Sequence, residues 1–167
     1  MKTKKSPAPL GSVSSGTLRP EDLIPAFLDV LRSIRPLRRA DRKLVRELDA
    51  ITAEYDTAAF KDGSTDYYLE ELFTALDSYA PPYFYFGSHP GDGSDFGFYL
   101  SENFDEDFND VSEIGTDIVE SVYNLRVSDL AEVPRGFSGE VLLVNERGNA
   151  TLYAYSRGRR REVWSVV

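Results

Sequence analysis

The chain contains one histidine, His89, and it lies among side chains that could take part in acid–base chemistry. Asp92 and Asp95 follow it within the segment GSHPGDGSD at 87–95. A histidine that a carboxylate orients can act as a general base, since its pKa lies near neutrality. Catalytic groups usually come from separate segments, and neighbours in one loop rarely align. We therefore predict no catalytic residue, and we keep His89, Asp92 and Asp95 as loop candidates for an alternative function, a small hydrolase-like enzyme.

A second pattern, Asp105-x-Asp107-x-Asn109, has the first three ligand positions of a calcium-binding loop. The sixth position is Asp110, where such a loop needs glycine, and the twelfth is Thr116, where it needs a bidentate glutamate. The chain has no cysteine and one histidine, which leaves too few ligands for a typical zinc site. We predict neither a metal site nor a cofactor.

Carboxylates are concentrated in the middle of the chain. Between Glu47 and Glu120 there are nineteen Asp and Glu residues and one basic residue, Lys61. A dense negative field can attract the basic surface of a partner, as DNA phosphates do. The alternative is a solvated surface that only promotes solubility. The sequence predicts an acidic partner-binding surface whose densest part is Glu102, Asp105, Glu106, Asp107, Asp110 and Glu113.

Basic residues lie on both sides of this acidic middle. From Arg19 to Arg46 there are eight Lys and Arg residues against four acids, and the turn from Arg157 to Arg161 contains four arginines. The first group lacks the interleaved aromatic residues of many nucleic-acid-binding surfaces. We expect it to offset the acidic middle, and we expect no direct nucleic-acid partner. No partner is assigned to the arginine-rich turn.

The fold that must position these residues is predicted to be α+β. Residues 1–17 are rich in Lys, Pro, Ser and Gly and are predicted to be a disordered tail before a single domain over 18–167. Apolar residues then recur at helical spacing in three segments. We predict helices from Pro20 to before Pro36, from about Asp41 to Tyr55, and from Thr65 or Asp66 to about Tyr79.

The remaining elements are predicted strands. Two aromatic runs, 83–86 and 96–99, predict a β-hairpin with a long tip, because aromatic residues favour strands and Gly, Pro and Asp favour turns. Leu125 to Val133 is ambiguous and could be an edge strand. The segments 140–145, 150–156 and 162–167 predict an antiparallel meander. The expected architecture is about three helices packed on one antiparallel sheet made of the hairpin and the meander.

The sequence also bears on the compartment. No apolar run approaches the roughly 18–20 residues that span a bilayer. The basic start, Met1 to Lys5, is followed by a polar stretch instead of the apolar core of a signal peptide. We therefore expect a cytoplasmic protein without a membrane partner.

Two β segments carry a resemblance to a group of proteins. The sequences FGSHPGDGSDFGF and VNERGNATLYAYSRGRRREVWSVV resemble small acidic proteins encoded by phages and bacterial mobile elements, over the chain from about Pro81 onward. The resemblance brings no catalytic motif with it. It implies an inhibitor of a host defence nuclease or another host protein, acting in the host cytoplasm. A toxin-neutralising immunity protein is a further alternative, and it would also bind its partner through an acidic surface.

Overall fold

The computed structural model describes residues 8–53, 64–114 and 122–166. These residues form two compact units, 8–101 and 102–166, and each is described by itself. The predicted α+β class is confirmed: the described residues form three α-helices, one short 3-10 helix (Leu130–Glu132) and two sheets. The hairpin and the meander were predicted to share one sheet, but they belong to different sheets, one in each unit. The single domain over 18–167 stays a prediction.

The first unit contains the three α-helices of the described residues and a three-stranded antiparallel sheet. Its elements are β1 (Gly11–Ser14), α1 (Pro20–Ser33), α2 (Arg39–Ala53), α3 (Ser64–Asp77), β2 (Phe84–His89) and β3 (Asp92–Leu100). The strand order is β1-β3-β2. The three predicted helices are confirmed, although the predicted end of the second, Tyr55, lies outside the described residues.

The hairpin of β2 and β3 is tighter than the sequence predicted. Its strands remain paired out to His89 and Asp92, so that only Pro90 and Gly91 form the turn. The predicted long tip is therefore wrong. Gly, Ser and Asp residues favour turns when they are considered alone, but here Gly93, Ser94 and Asp95 lie within β3, at a place where the pairing register shifts between Ser88 and His89.

One face of this hairpin forms the core of the first unit. Phe86 and Phe98 lie opposite each other on the two strands, and both are buried. The ring of Phe27 on α1 contacts the rings of Phe73 on α3 and Phe86 at 5.1 and 5.0 Å between centroids. Edge-on aromatic pairs of this kind add about 0.5–1.5 kcal/mol to the free energy gained by burial. Buried residues of all three helices belong to this same core.

The start of the described chain is a strand rather than a disordered tail. Gly11–Ser14 pair with β3, with Gly11 opposite Phe98 and Ser12 opposite Gly97. The prediction of a disordered segment over 1–17 is therefore wrong for β1, and residues 1–7 lie outside the described residues. A Cβ atom at Gly97 would lie 2.1 Å from the carbonyl oxygen of Gly11, so the close approach of these strands requires a residue without a side chain.

A buried polar group connects the start of α2 to the segment after α3. The Asp41 side chain is only 5% exposed and accepts hydrogen bonds from Arg38 at 2.7 and 3.0 Å. The Tyr79 hydroxyl also donates to this carboxylate. Burial opposes the ionisation of Asp41, but the hydrogen bonds from Arg38 and Tyr79 outweigh it and hold the pKa of Asp41 below its ordinary value. The ionised carboxylate therefore stabilises the fold.

The second unit is a five-stranded mixed sheet in the order β4-β5-β6-β7-β8. Its strands are β4 (Asn109–Asp110), β5 (Asn124–Val127), β6 (Gly139–Val144), β7 (Ala150–Ser156) and β8 (Arg159–Val166). The predicted meander is confirmed as β6 to β8. The strand suggested within Leu125 to Val133 is present as β5, but it is an interior strand and not an edge strand, because β5 pairs in parallel with both β4 and β6. Within the described ranges, no helix has the length and apolar character needed to cross a membrane.

We predict that Gly97→Ala separates β1 from β3, because the added methyl group would overlap with backbone atoms that cannot rotate away. The expected loss in the free energy of unfolding is about 2 kcal/mol, as for other overpacked sites. Urea unfolding measures this loss, and amide hydrogen exchange in β1 should accelerate. Gly93→Ala, also on β3, is the matched control because its Cβ would meet no atom within 4 Å. Equal stability of the two variants would contradict the predicted overlap.

We predict that Asp41→Asn lowers the free energy of unfolding at neutral pH by about 1–3 kcal/mol, since the buried hydrogen bonds lose their charged acceptor. A carboxyl group whose pKa is lowered by folding stabilises the protein above its unfolded pKa, and this contribution is lost as the pH falls through the folded pKa. The difference between the wild type and the variant should therefore shrink in acid. Urea unfolding at several pH values measures it.

The control for this experiment is Asp29→Asn. Asp29 also pairs with an arginine three residues away, but its side chain is 72% exposed. Exposed ion pairs contribute about 0–1 kcal/mol, so the control should lose little stability. If the two variants lost the same free energy at neutral pH, the buried network would not have the stabilising role described above.

Candidate functional site

The six acidic residues predicted to bind a partner lie in one segment of the second unit, residues 102–113, which we call the acidic segment. It consists of turns and the two-residue strand β4. Its backbone is held by hydrogen bonds, such as that from the amide of Phe108 to the carbonyl of Asp105 at 3.0 Å. Two apolar side chains anchor it, since Phe108 is buried and the ring of Phe104 contacts that of Trp164. The carboxylates are therefore carried by a backbone with defined contacts.

Two of the six carboxylates interact within the unit. Asp105 pairs with Arg126 of β5 at 3.3 Å. Asp110 accepts hydrogen bonds from the side chain and the backbone amide of Ser112 at 2.6 and 2.9 Å, and these bonds hold the pKa of Asp110 below its ordinary value. Both residues help to fix the segment, and their carboxylates are less available to a partner because they already have an interaction within the unit.

The other four are exposed and form no hydrogen bond or ion pair with another described residue through their carboxylates. We call them the open carboxylates: Glu102, Glu106, Asp107 and Glu113. The six predicted residues thus fall into two groups. Asp105 and Asp110 interact within the unit, whereas the carboxylates of the other four face solvent. Their uncompensated charge can attract cations or the basic side chains of a partner.

Two residues of the pattern that resembled a calcium-binding loop make other interactions. Asp105 pairs with Arg126, and the side-chain amide of Asn109 donates to the backbone carbonyl of Asn124 at 3.1 Å. Across the described ranges, no group of three or more His, Cys, Asp or Glu side chains is arranged to hold a metal ion.

The three loop candidates do not form a catalytic arrangement with one another. His89 accepts a hydrogen bond through Nδ1 from the amide of Gly91 at 3.0 Å. Asp92 accepts from the amide and hydroxyl of Ser94, and these bonds hold its pKa below the ordinary value. Asp95 accepts instead from Ser12 of β1. No hydrogen bond joins His89 to either carboxylate, so the pairing of a base with its orienting acid is missing.

A polar cluster on the second face of the hairpin was not predicted. The Ser12 hydroxyl donates to the Asp95 carboxylate at 2.5 Å, and Tyr99 shares this face because it lies four residues along the same strand. The Tyr99 ring contacts the His89 ring edge-on at 4.9 Å. The alternation of Asp95 and Tyr99 along β3 could have been found in the sequence, but Ser12 lay within the predicted tail.

Burial controls the ionisation of Tyr99. The hydroxyl oxygen is buried and makes no hydrogen bond of normal geometry, although Asp95 lies near enough to act on it electrostatically. Burial and the negative charge of Asp95 raise the pKa of Tyr99 to about 12. The phenol is therefore neutral at physiological pH. Because Asp95 is engaged by Ser12, this cluster connects β1 to β3 and offers no activated nucleophile.

Comparison with known proteins adds no relative: no family model matches the chain, and neither a curated protein nor a solved structure matches it. The resemblance to phage-type proteins remains a hypothesis, and any functional conclusion depends on the geometry given above.

We predict that Tyr99 remains a neutral phenol at about pH 10.5, where an ordinary tyrosine is mostly ionised. NMR of protein labelled at the tyrosine Cζ carbon measures this ionisation residue by residue. Asp95→Asn should lower the pKa of Tyr99, but not fully to the ordinary value, because burial is the larger cause. Asp92→Asn is the control, since the Asp92 carboxylate bonds to Ser94 and should leave Tyr99 unaffected. Ionisation of Tyr99 in the ordinary range would show that the described burial is wrong.

Proposed function

We propose that this protein is a non-enzymatic binding protein that uses its acidic segment to hold a basic surface of another protein. The observation that carries the proposal is the set of four open carboxylates, Glu102, Glu106, Asp107 and Glu113, within a segment held by backbone hydrogen bonds and by two aromatic anchors. A partner that presents lysine and arginine side chains supplies the positive charges with which these carboxylates do not pair within the described residues.

The binding affinity expected of such a surface comes from several charges acting together. A single exposed ion pair contributes only about 0–1 kcal/mol. Several carboxylates of one sign on a defined backbone produce a field that accelerates encounter with an oppositely charged surface and selects against acidic partners. The interaction should therefore weaken as salt is added, because exposed charges are screened within about 8–10 Å at physiological ionic strength.

The class of partner follows from the resemblance and from the chemistry of the segment. A basic surface that accepts a row of carboxylates is typical of proteins that bind nucleic acids, where the carboxylates replace phosphates. The resemblance to phage and mobile-element proteins supports a host defence protein, such as a nuclease, as the target. The proposed role is then an inhibitor that acts in the cytoplasm of the host cell.

Two alternatives are less well supported. A hydrolase-like enzyme based on His89 has no specific contact in its favour, since Asp92 and Asp95 are engaged by Ser94 and Ser12. An immunity protein that neutralises a toxin would use the same open carboxylates. The identity of the captured partner, a toxin or a defence protein, decides between the immunity and inhibitor proposals.

The test is affinity capture from nuclease-treated host-cell lysate with the wild type and with the variant E102K/E106K/D107K. We expect the wild type to retain a basic protein that elutes as the salt concentration rises. Reversal of three exposed charges should weaken this binding by roughly 10- to 100-fold, since each exposed pair contributes up to about 1 kcal/mol. Titration of the purified partner measures the loss.

The matched control is E70K/E71K/E146K, which reverses three exposed carboxylates outside the acidic segment. It changes the net charge of the protein by the same amount. If all three proteins captured the same partner with equal affinity, the role of the acidic segment would be refuted. If both variants lost the same affinity, the binding would depend on net charge and not on the acidic segment.

A further inference from the structure

Half of the basic side chains in residues 8–53 pair with a nearby carboxylate. Residues 8–53 contain eight Lys and Arg side chains. Four of them form ion pairs: Arg19 with Glu21, Arg32 with Asp29 and Asp49, Arg38 with Asp41, and Lys43 with Glu47. Arg35 donates hydrogen bonds to the carbonyl oxygens of Arg32 and Ile34 and has no carboxylate partner among the described residues. The three carboxylates on α2, Asp41, Glu47 and Asp49, are all used in these ion pairs.

Of the four without a carboxylate partner, Arg35 precedes α2, and Arg39, Arg42 and Arg46 form one ridge on the helix. All are exposed, and none pairs with a carboxylate of the described residues. Their spacing of three and four residues places them on one face of the helix, over about 10 Å along its axis. The Nε atom of Arg46 donates to the carbonyl of Arg42 at 3.2 Å, so the Arg46 side chain extends along the helix towards Arg42. The ridge is thus a row of neighbouring cations without an anion.

The ridge also lies at the wrong end of the helix for stability. The amino-terminal end of a helix carries a partial positive charge, which disfavours cations in the first turn. Arg39 and Arg42 occupy that turn of α2, and its last turn contains no basic residue. The helix dipole therefore does not explain why Arg39 and Arg42 stand in this turn.

We propose that Arg39, Arg42 and Arg46 bind the phosphate backbone of a nucleic acid. Guanidinium groups form paired hydrogen bonds with phosphate oxygens, and a row of three matches a linear array of phosphates better than it matches a single anion. Two residues on the opposite side of α2, Leu44 and Leu48, are buried. The helix therefore has no free apolar face there with which to enter a lipid bilayer.

The binding should not depend on base sequence. The ridge contains no aromatic residue on which bases could stack, and phosphate contacts carry no sequence information. The net charge of −9 opposes binding, but screening limits this repulsion to charges within about 10 Å. This inference departs from the expectation of no direct nucleic-acid partner, and it does not depend on the proposed function, whose carboxylates lie in the other unit.

The experiment is a fluorescence-anisotropy titration of the full chain against a labelled DNA duplex of mixed sequence, with single-stranded DNA and RNA in parallel. Three phosphate contacts predict affinity for the duplex that is about 40-fold weaker at about 200 mM than at about 50 mM salt. The variant R39Q/R42Q/R46Q should bind at least tenfold more weakly, with the slope of log affinity against log salt close to zero. R39K/R42K/R46K keeps the charges and should retain most of the binding.

The matched control is R135Q/R147Q/R159Q, which removes three exposed arginines from the other unit and changes the net charge equally. It should bind within about twofold of the wild type. Circular dichroism and thermal unfolding of each variant confirm that the fold is retained, which is expected because all six side chains are exposed.

Three results would overturn the proposal. The wild type could fail to bind any of the three nucleic acids at low salt, or the control could lose as much affinity as R39Q/R42Q/R46Q. Polyglutamate could also compete, charge for charge, as well as unlabelled nucleic acid, and the ridge would then be assigned to an acidic polypeptide. Capture by the acidic segment is measured on a different partner and with different variants, so failure of one proposal leaves the other standing.

Discussion

The ring of Phe27 holds the first unit together. It contacts Phe73 on α3, Phe86 on β2 and Phe96 on β3, and it is fully buried. Because it lies on α1, this single residue connects two helices to both strands of the hairpin. The position of α2, and with it the arginine ridge, depends on the same core through Leu44 and Leu48. The hairpin can present polar groups on its second face because its first face is fixed by these contacts.

The elements that the sequence predicted correctly are those with a local signal. The three helices have apolar residues at helical spacing, and the strands of the meander are separated by short turns that contain Gly148 and Gly158. Pairing between distant segments could not be predicted in this way. Strand β1 has a weak pattern of its own and is defined by its contact with Gly97, while β5 becomes an interior strand only because β4 and β6 lie on either side.

The same limit applies to the candidate sites. The density of acidic residues was visible in the sequence, but the sequence could not show that Arg126 engages Asp105 or that Ser112 engages Asp110. In the same way, the cations from Arg19 to Arg46 were expected as a group to offset acidic residues. Only the ion pairs seen in three dimensions show which carboxylates are used, and therefore that the three arginines of the ridge have no carboxylate partner among the described residues. Composition gives the total charge, whereas pairing determines its availability.

The pairing of β1 with β3 has a consequence for the order in which the first unit folds. Ser12 and Asp95, which bond across these strands, are 83 residues apart in the chain. The hairpin of β2 and β3 closes through a two-residue turn, and helices form from local contacts, so both can form early. Adding β1 closes the longest loop of this sheet and has the largest entropic cost. During synthesis β1 emerges first, yet it must wait for β3 before its backbone hydrogen bonds can be satisfied.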